Sequence, residues 1–129
     1  MTPPLIYVAG PYRASTEYGL HDNIARARQA GALLAASGAY PVIPHCNTAF
    51  MGGLQSDAFW LKSTLELLRR CDGAVFVGAW RRSVGSVGEW QEAERLAMPR
   101  LELEYTHACT AELQTWLRGV CMRRVCADS

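Results

Sequence analysis

The amino-acid sequence predicts an α/β protein, a Rossmann-like or flavodoxin-like doubly wound sandwich around a mainly parallel sheet of four or five strands. Two observations predict the layers. Short apolar, β-rich runs alternate with stretches of helical periodicity, and the runs at 5–9 and 73–77 are apolar throughout, as strands covered on both faces are. A third observation predicts the sense of the sheet: helical stretches separate successive strands, and parallel neighbours need such a crossover, right-handed in nearly every case. At 129 residues, the whole chain (1–129) is expected to form a single domain.

The first strand is Leu5-Ile6-Tyr7-Val8-Ala9, stopped by Gly10-Pro11. Asp22 is placed as the N-cap of the first helix, in which Ile24, Ala27, Ala30, Gly31, Leu33 and Leu34 recur at helical spacing up to the glycine exit at Ser37-Gly38. Ala39-Tyr40-Pro41-Val42-Ile43 is the second strand, confined by Pro41 to a strand start or a sheet edge, and ended by Pro44-His45. Residues 47–55 lack periodicity, contain Gly52-Gly53 and are assigned to a loop; Ser56 or Asp57 then caps a helix carrying Phe59, Trp60, Leu61, Thr64, Leu65, Leu67 and Leu68.

Residues 73–77 form the third strand, and a polar, glycine-containing turn from Trp80 to Gly88 leads into a helix through Ala97, closed by Pro99. Leu101 to Tyr105 alternates like a strand with one wet face, and Thr110 to Arg124 reads as a last helix with Leu113, Trp116, Leu117, Val120 and Cys121 inward. In parallel sheets of this kind small ligands bind outside the carboxyl ends of the strands. The segments expected to build a site are therefore Gly10 to Thr16, Pro44 to Asp57 and Gly78 to Glu89.

Thirteen basic and twelve acidic residues leave a net charge of +1, so no field of one sign is available to hold a nucleic-acid polymer or an anionic membrane. The five cysteines, Cys46, Cys71, Cys109, Cys121 and Cys126, are odd in number and form no C-x-x-C pair, which speaks against a disulfide framework and a zinc site. No basic n-region precedes the first apolar run, and no stretch approaches the ~20 apolar residues of a membrane span. A soluble, cytoplasmic protein without metal or organic cofactor is the expectation.

The segment richest in chemistry is Trp80-Arg81-Arg82-Ser83-Val84-Gly85-Ser86-Val87-Gly88-Glu89. Helix-start N–H groups have no intrahelical partner, and Gly85 and Gly88 let backbone approach a phosphate or sugar closely. Glu89 has two readings. Ser86-x-x-Glu89 matches a capping box, in which the glutamate only bonds its own helix start; alternatively it is a free carboxylate facing a ligand. Spacing does not separate Glu89 from Glu92 either, since Ser83/Gly85/Glu89 and Ser86/Gly88/Glu92 repeat one pattern.

Three blocks carry a resemblance: Ile6-Tyr7-Val8-Ala9-Gly10-Pro11-Tyr12; Phe59-Trp60 through Leu67-Leu68-Arg69-Arg70-Cys71-Asp72; and Trp80 through Ala93 with Pro99. In these the chain resembles nucleoside 2-deoxyribosyltransferases and the related deoxynucleoside monophosphate N-glycosidases, over about residues 5 to 101. The family pattern places an apolar or aromatic residue after the glutamate, an alanine four places on and a proline about ten places on. Trp90, Ala93 and Pro99 fit Glu89, whereas Glu92 meets Leu96 at the alanine position.

The resemblance implies N-glycosidic bond cleavage in a nucleoside or its 5′-monophosphate, with Glu89 attacking the anomeric carbon and the Tyr7 hydroxyl aiming it. An unperturbed glutamate is already ionised at neutral pH, so positioning rather than deprotonation of Glu89 is expected. Tyr7 also has a plainer reading, as a strand tyrosine whose hydroxyl needs only some buried partner. Gly10, Pro11, Tyr12 and Arg13 correspond to the loop lining the sugar and base pocket, with Arg13 meeting a phosphate or lying solvated. His45, with Asn47, Phe50 and Trp60, would line the base pocket, His45 donating a proton to the departing base or serving as a structural hydrogen-bonder. Trp80 would stack on a base, and Ser83 and Ser86 would hold the 5′ end.

One departure matters: Thr64 stands eight residues before Asp72, where deoxyribosyltransferases commonly carry a base-handling aspartate. This favours a hydrolase over base exchange. Asp72 itself falls at the opposite strand end from the proposed site and is assigned a structural part. The resemblance also implies a homodimer or higher homo-oligomer, because family members complete their pockets with a neighbouring subunit. The rival from another class is a module that binds or senses a nucleotide with the same pocket and turns nothing over.

Overall fold

The computed structural model describes residues 2–103 and 109–128. Its sheet has four strands, all parallel, in the order β2-β1-β3-β4, where β1 is Leu5–Ala9, β2 Tyr40–Val42, β3 Gly73–Val77 and β4 Arg100–Leu103. Register runs Tyr7 beside Val42 and Ala74, and Val75 beside Leu101. Of the expected fourth strand, Glu104 and Tyr105 lie outside the described residues.

Alternation along β1 and β3 sorts the core into two layers, because successive side chains in a strand point to opposite faces. Ile6, Val8, Val75 and Val77 pack with Ala27, Ala30 and Leu34 of helix α1 (Glu17–Ala36) and with Leu113, Leu117 and Val120 of helix α5 (Cys109–Asp128). Tyr7, Ala9, Ala74 and Phe76 face the other way. They pack with Leu68 of α3 (Asp57–Arg69) and with Ala93 of α4 (Val84–Arg95). The short helix α2 is Pro44–Asn47. No helix among the described residues is long and apolar enough to cross a membrane.

Several boundaries differ from expectation. Helix α1 begins at Glu17, not after Asp22: Thr16, in extended geometry, accepts the Gly19 N–H at 3.0 Å, and Asp22 pairs instead with Arg26 one turn on. Strand β2 keeps only Tyr40–Val42, since Ile43 caps α2 and Pro44 starts it; Pro41 indeed lies on an edge strand. The expected loop 47–55 contains a single 3₁₀ turn at Gly52–Leu54, and α3 starts at Asp57 under a Ser56 cap.

The largest shift is at α4. Trp80–Arg82 closes a 3₁₀ turn that leaves Ser83 extended, and Ser83 Oγ accepts the Ser86 N–H at 3.3 Å, so the helix starts at Val84 rather than beyond Gly88. It stops at Arg95, with Ala97 at φ 52° and the Met98 N–H returned to the Ala93 carbonyl. At the opposite end of the sheet Asp72 is structural: its Oδ2 accepts the Leu5 N–H at 2.8 Å, and its Oδ1 lies 3.6 Å from Arg124.

Candidate active site

The three segments after β1, β2 and β3 lie together at the carboxyl end of the sheet, where α1, α3 and α4 begin. Gly10 is needed there by close approach: a Cβ on it would stand 2.8 Å from Val77 Cγ2 and 3.1 Å from the Val77 carbonyl oxygen.

Capping by Ser83 decides what Glu89 is. In this helix Ser86 occupies the first turn and Glu89 the second, so Glu89 does not cap, and the capping-box reading falls. Glu89 is buried, and the Tyr7 hydroxyl acts on its carboxylate, favouring the charged form. Burial pushes the Glu89 carboxyl up to about 7, against the smaller opposing effect of Tyr7. The expectation of an ordinary, fully ionised glutamate is thereby corrected: taking this carboxylate out of water outweighs the phenol that favours its charge. Burial also raises the Tyr7 phenol, helped by the Glu89 charge.

Glu92 sits differently. Its Oε1 accepts from Arg69 Nε at 3.2 Å and from Arg95 Nε at 3.1 Å, which ties α4 to α3 and holds its pKa low. Of the two glutamates that spacing could not separate, Glu89 is the one turned inward.

His45 fastens the first two segments together. Its Nε2 lies 3.0 Å from the Gly10 carbonyl oxygen and 2.9 Å from that of Pro11, so the ring donates from Nε2. Nδ1 is buried without a hydrogen-bond partner among the described residues, and burial lowers the imidazole pKa more than the Pro11 and Gly10 carbonyls raise it. With Nε2 shared between two backbone carbonyls, His45 clamps the Gly10–Pro11 segment.

The Tyr12 ring meets His45 edge-on at 5.5 Å, and its hydroxyl accepts the Phe50 N–H at 2.8 Å. Arg13, well exposed, forms a two-pronged pair with Asp57 at the start of α3, one prong 3.1 Å. Pro11 is half-buried, and Asn47 is exposed on α2. Trp60 donates from Nε1 to the Gly52 carbonyl at 3.1 Å.

Trp80, expected to stack on a base, is core instead. It is 6% exposed, stacks on Trp90 at 4.7 Å, packs on Phe76, lies under the Arg81 guanidinium and donates from Nε1 to Glu102. Ser86 is buried, and its Oγ has no hydrogen-bond partner among the described residues. It lies three residues before Glu89, on the same side of α4. Ser83 spends its hydroxyl on the cap, and Gly85 faces Leu61 of α3. Thr64, known from the sequence only as a departure, stands one turn before the buried Leu68 on α3 and donates its hydroxyl to the Leu61 carbonyl at 3.2 Å.

Comparison with known proteins gives likenesses in fold and a match to a family. A solved 2-deoxyribosyltransferase from Bacillus psychrosaccharolyticus is similar at a TM-score of 0.59 and 20% identity, covering 80% of this chain and 74% of that one. The likeness is one of fold. No curated protein matches. The family described as domain of unknown function DUF7768 matches residues 4–103. The chain belongs to the DUF7768 family.

Proposed function

We propose that this protein cleaves the N-glycosidic bond of a nucleoside or nucleoside 5′-monophosphate, with Glu89 as nucleophile and Tyr7 as the group that aims it. The observation that carries the reading is a buried carboxylate, free of its own helix start and with its charged form favoured by a buried tyrosine, beside the carboxyl end of a parallel sheet. The fold shared with a 2-deoxyribosyltransferase supports it at a coarser level.

In this reaction the bond from C1′ to the base nitrogen breaks while a bond from C1′ to a Glu89 oxygen forms, and water then hydrolyses the glycosyl-enzyme. Tyr7 fixes one carboxylate oxygen so that the other faces the sugar. The unpartnered Ser86 hydroxyl, a turn from Glu89, and the adjoining backbone suit the 5′ end of the substrate. Thr64 in place of an acidic base-handling residue favours water over a second base as acceptor.

Exposed Tyr18, Phe50, Leu54 and Val84 ring the same end of the sheet and suit contact with another copy of the chain, in keeping with a homodimer or larger assembly. The deciding experiment is a panel of nucleosides and nucleoside monophosphates scored by chromatography of released base, with wild type and Glu89→Gln compared. Base released by wild type alone supports the enzyme; binding without base release by either protein favours a sensing module.

A further inference from the structure

The inward side of α1 ends on a polar residue. Ala27, Ala30 and Leu34 are buried against Ile6 and Val8 of β1, and one turn before Ala27, toward the carboxyl end of the sheet, the same side of the helix carries Asn23. By that level β1 has given way to Gly10–Arg13, so the side chain meets loop backbone instead of core. Asn23 Nδ2 donates to the Tyr12 carbonyl at 3.1 Å and to the Arg13 carbonyl at 3.3 Å.

His45 takes the two carbonyls before these, those of Gly10 and Pro11. Four consecutive carbonyl oxygens are thus held by two side chains, one on α1 and one on α2. The anchors are unequal: an amide group has two hydrogens for its two acceptors, whereas an imidazole nitrogen has at most one to divide between them. Packing adds little beside Pro11, where a cleft of about 180 Å³ opens, lined by Asn23, Arg26 and the Val77–Ala79 turn. A trans peptide points its N–H opposite to its carbonyl, so the N–H groups of Tyr12, Arg13 and Ala14 are turned away from both anchors.

We propose that Asn23 is a positioning residue, whose two amide hydrogens hold the Tyr12–Arg13 backbone in the shape that receives the substrate and so set its affinity. For the kinetic effect this rests on the proposed glycosidase activity. Asn23 belongs to the α1 face of the sheet, whereas Tyr7 faces α3 and α4, the helix that carries Glu89. Loss of the amide therefore leaves the reacting carboxylate in place. A segment that holds the ground state and the transition state alike changes KM and not kcat.

The first measurement needs no substrate: backbone ¹⁵N relaxation of residues 10–14 in the full-length protein. Order parameters of about 0.85 in wild type should fall to about 0.6 in Asn23→Ala and recover in Asn23→Gln, which keeps both amide hydrogens. The second is base release over a range of nucleoside monophosphate concentrations. KM should rise about tenfold in Asn23→Ala, the scale of ordering a released loop on binding, with kcat changed less than about threefold. Unchanged order parameters in Asn23→Ala, a Gln variant as mobile as Ala, an unchanged KM, or a fall in kcat as large as the rise in KM overturns the inference. Asn23→Leu, of similar size and without a donor, takes the place of Ala, with the same outcomes, if the Ala protein does not fold. A segment that loosens as described in a protein that releases no base refutes the glycosidase and leaves Asn23 as the anchor of this backbone.

Discussion

Tyr7, in the middle of β1, and Glu89, the one acidic side chain buried among the described residues, act on each other's charge: the phenol favours the ionised carboxylate and the carboxylate raises the phenol pKa. A strand thus reaches through the core to an acid on the helix that covers it. The acid is held between two demands, solvent exclusion favouring its neutral form and the phenol favouring its charge.

Activity should follow that balance. The nucleophile is the ionised form, so kcat/KM for base release should rise with pH through about 7 and level off above it. A rate profile flat from pH 5 to 9 would show that the ionisation of Glu89 does not limit the reaction.

Stability should move in the opposite sense. A folded-state pKa of about 7 lies above the ordinary glutamate value of 4.5, so the native state holds the extra proton between them and loses stability as pH rises through that window. At about 1.4 kcal/mol per pH unit, the destabilisation reaches at most about 3 kcal/mol at pH 8. Glu89→Gln should therefore raise the urea midpoint at pH 8 and leave it nearly unchanged at pH 4, while reducing turnover by about a thousandfold or more. Equal effects on the urea midpoint at both pH values would contradict the burial of this charge.

Tyr7→Phe removes the hydroxyl that favours the charged Glu89. Hydrogen bonds to charged groups contribute about 1.5–3 kcal/mol, so kcat should fall roughly 10- to 100-fold. The acid limb of the rate profile should move to higher pH as Glu89 loses its partner. A fall in rate with the limb unmoved would make Tyr7 a packing residue only.

His45 gives the reverse linkage. Its folded pKa is lowered from 6.5, so the unfolded chain takes up the proton first and stability is lost as pH falls below that value. His45→Ala should cost about 1–3 kcal/mol through the two carbonyls left without a donor. It should weaken substrate binding more than turnover, because the ring clamps the Gly10–Pro11 segment rather than moving protons. Loss of a basic limb from the rate profile in this variant would instead restore His45 as an acid.

Gly10→Ala should destabilise by about 1–3 kcal/mol, since the added carbon meets the Val77 backbone oxygen as well as its side chain. Urea unfolding measures it. A neutral result would mean that the ends of β1 and β3 separate more easily than their packing implies.

The strands at 5–9 and 73–77 were legible because unbroken apolar runs flanked by Gly10-Pro11 and Gly78 have few other solutions in a parallel sheet. Helix starts were harder. Thr16 and Asp22 are both competent caps, as are Ser83 and Ser86, and the choice falls to backbone geometry fixed elsewhere: the tight turn through Trp80–Arg82 makes Ser83 the extended residue. Contacts between distant segments left no local trace. Trp80 looked available in its loop until Trp90 and Glu102 took its ring and its N–H, and Arg13 looked free until Asp57, 44 positions along, engaged it. Glu89 and Tyr7 were picked out as residues; their meeting, and what burial does to the acid, belong to the fold.

The packed rings of Phe76, Trp80 and Trp90 give the molecule an optical property of its own. Two of its four indoles are stacked with centroids 4.7 Å apart and planes nearly parallel, a separation at which their electronic transitions couple. Trp90 is the immediate neighbour of Glu89 along the helix. Ultraviolet circular dichroism and intrinsic emission therefore watch that helix from within, with no dye attached.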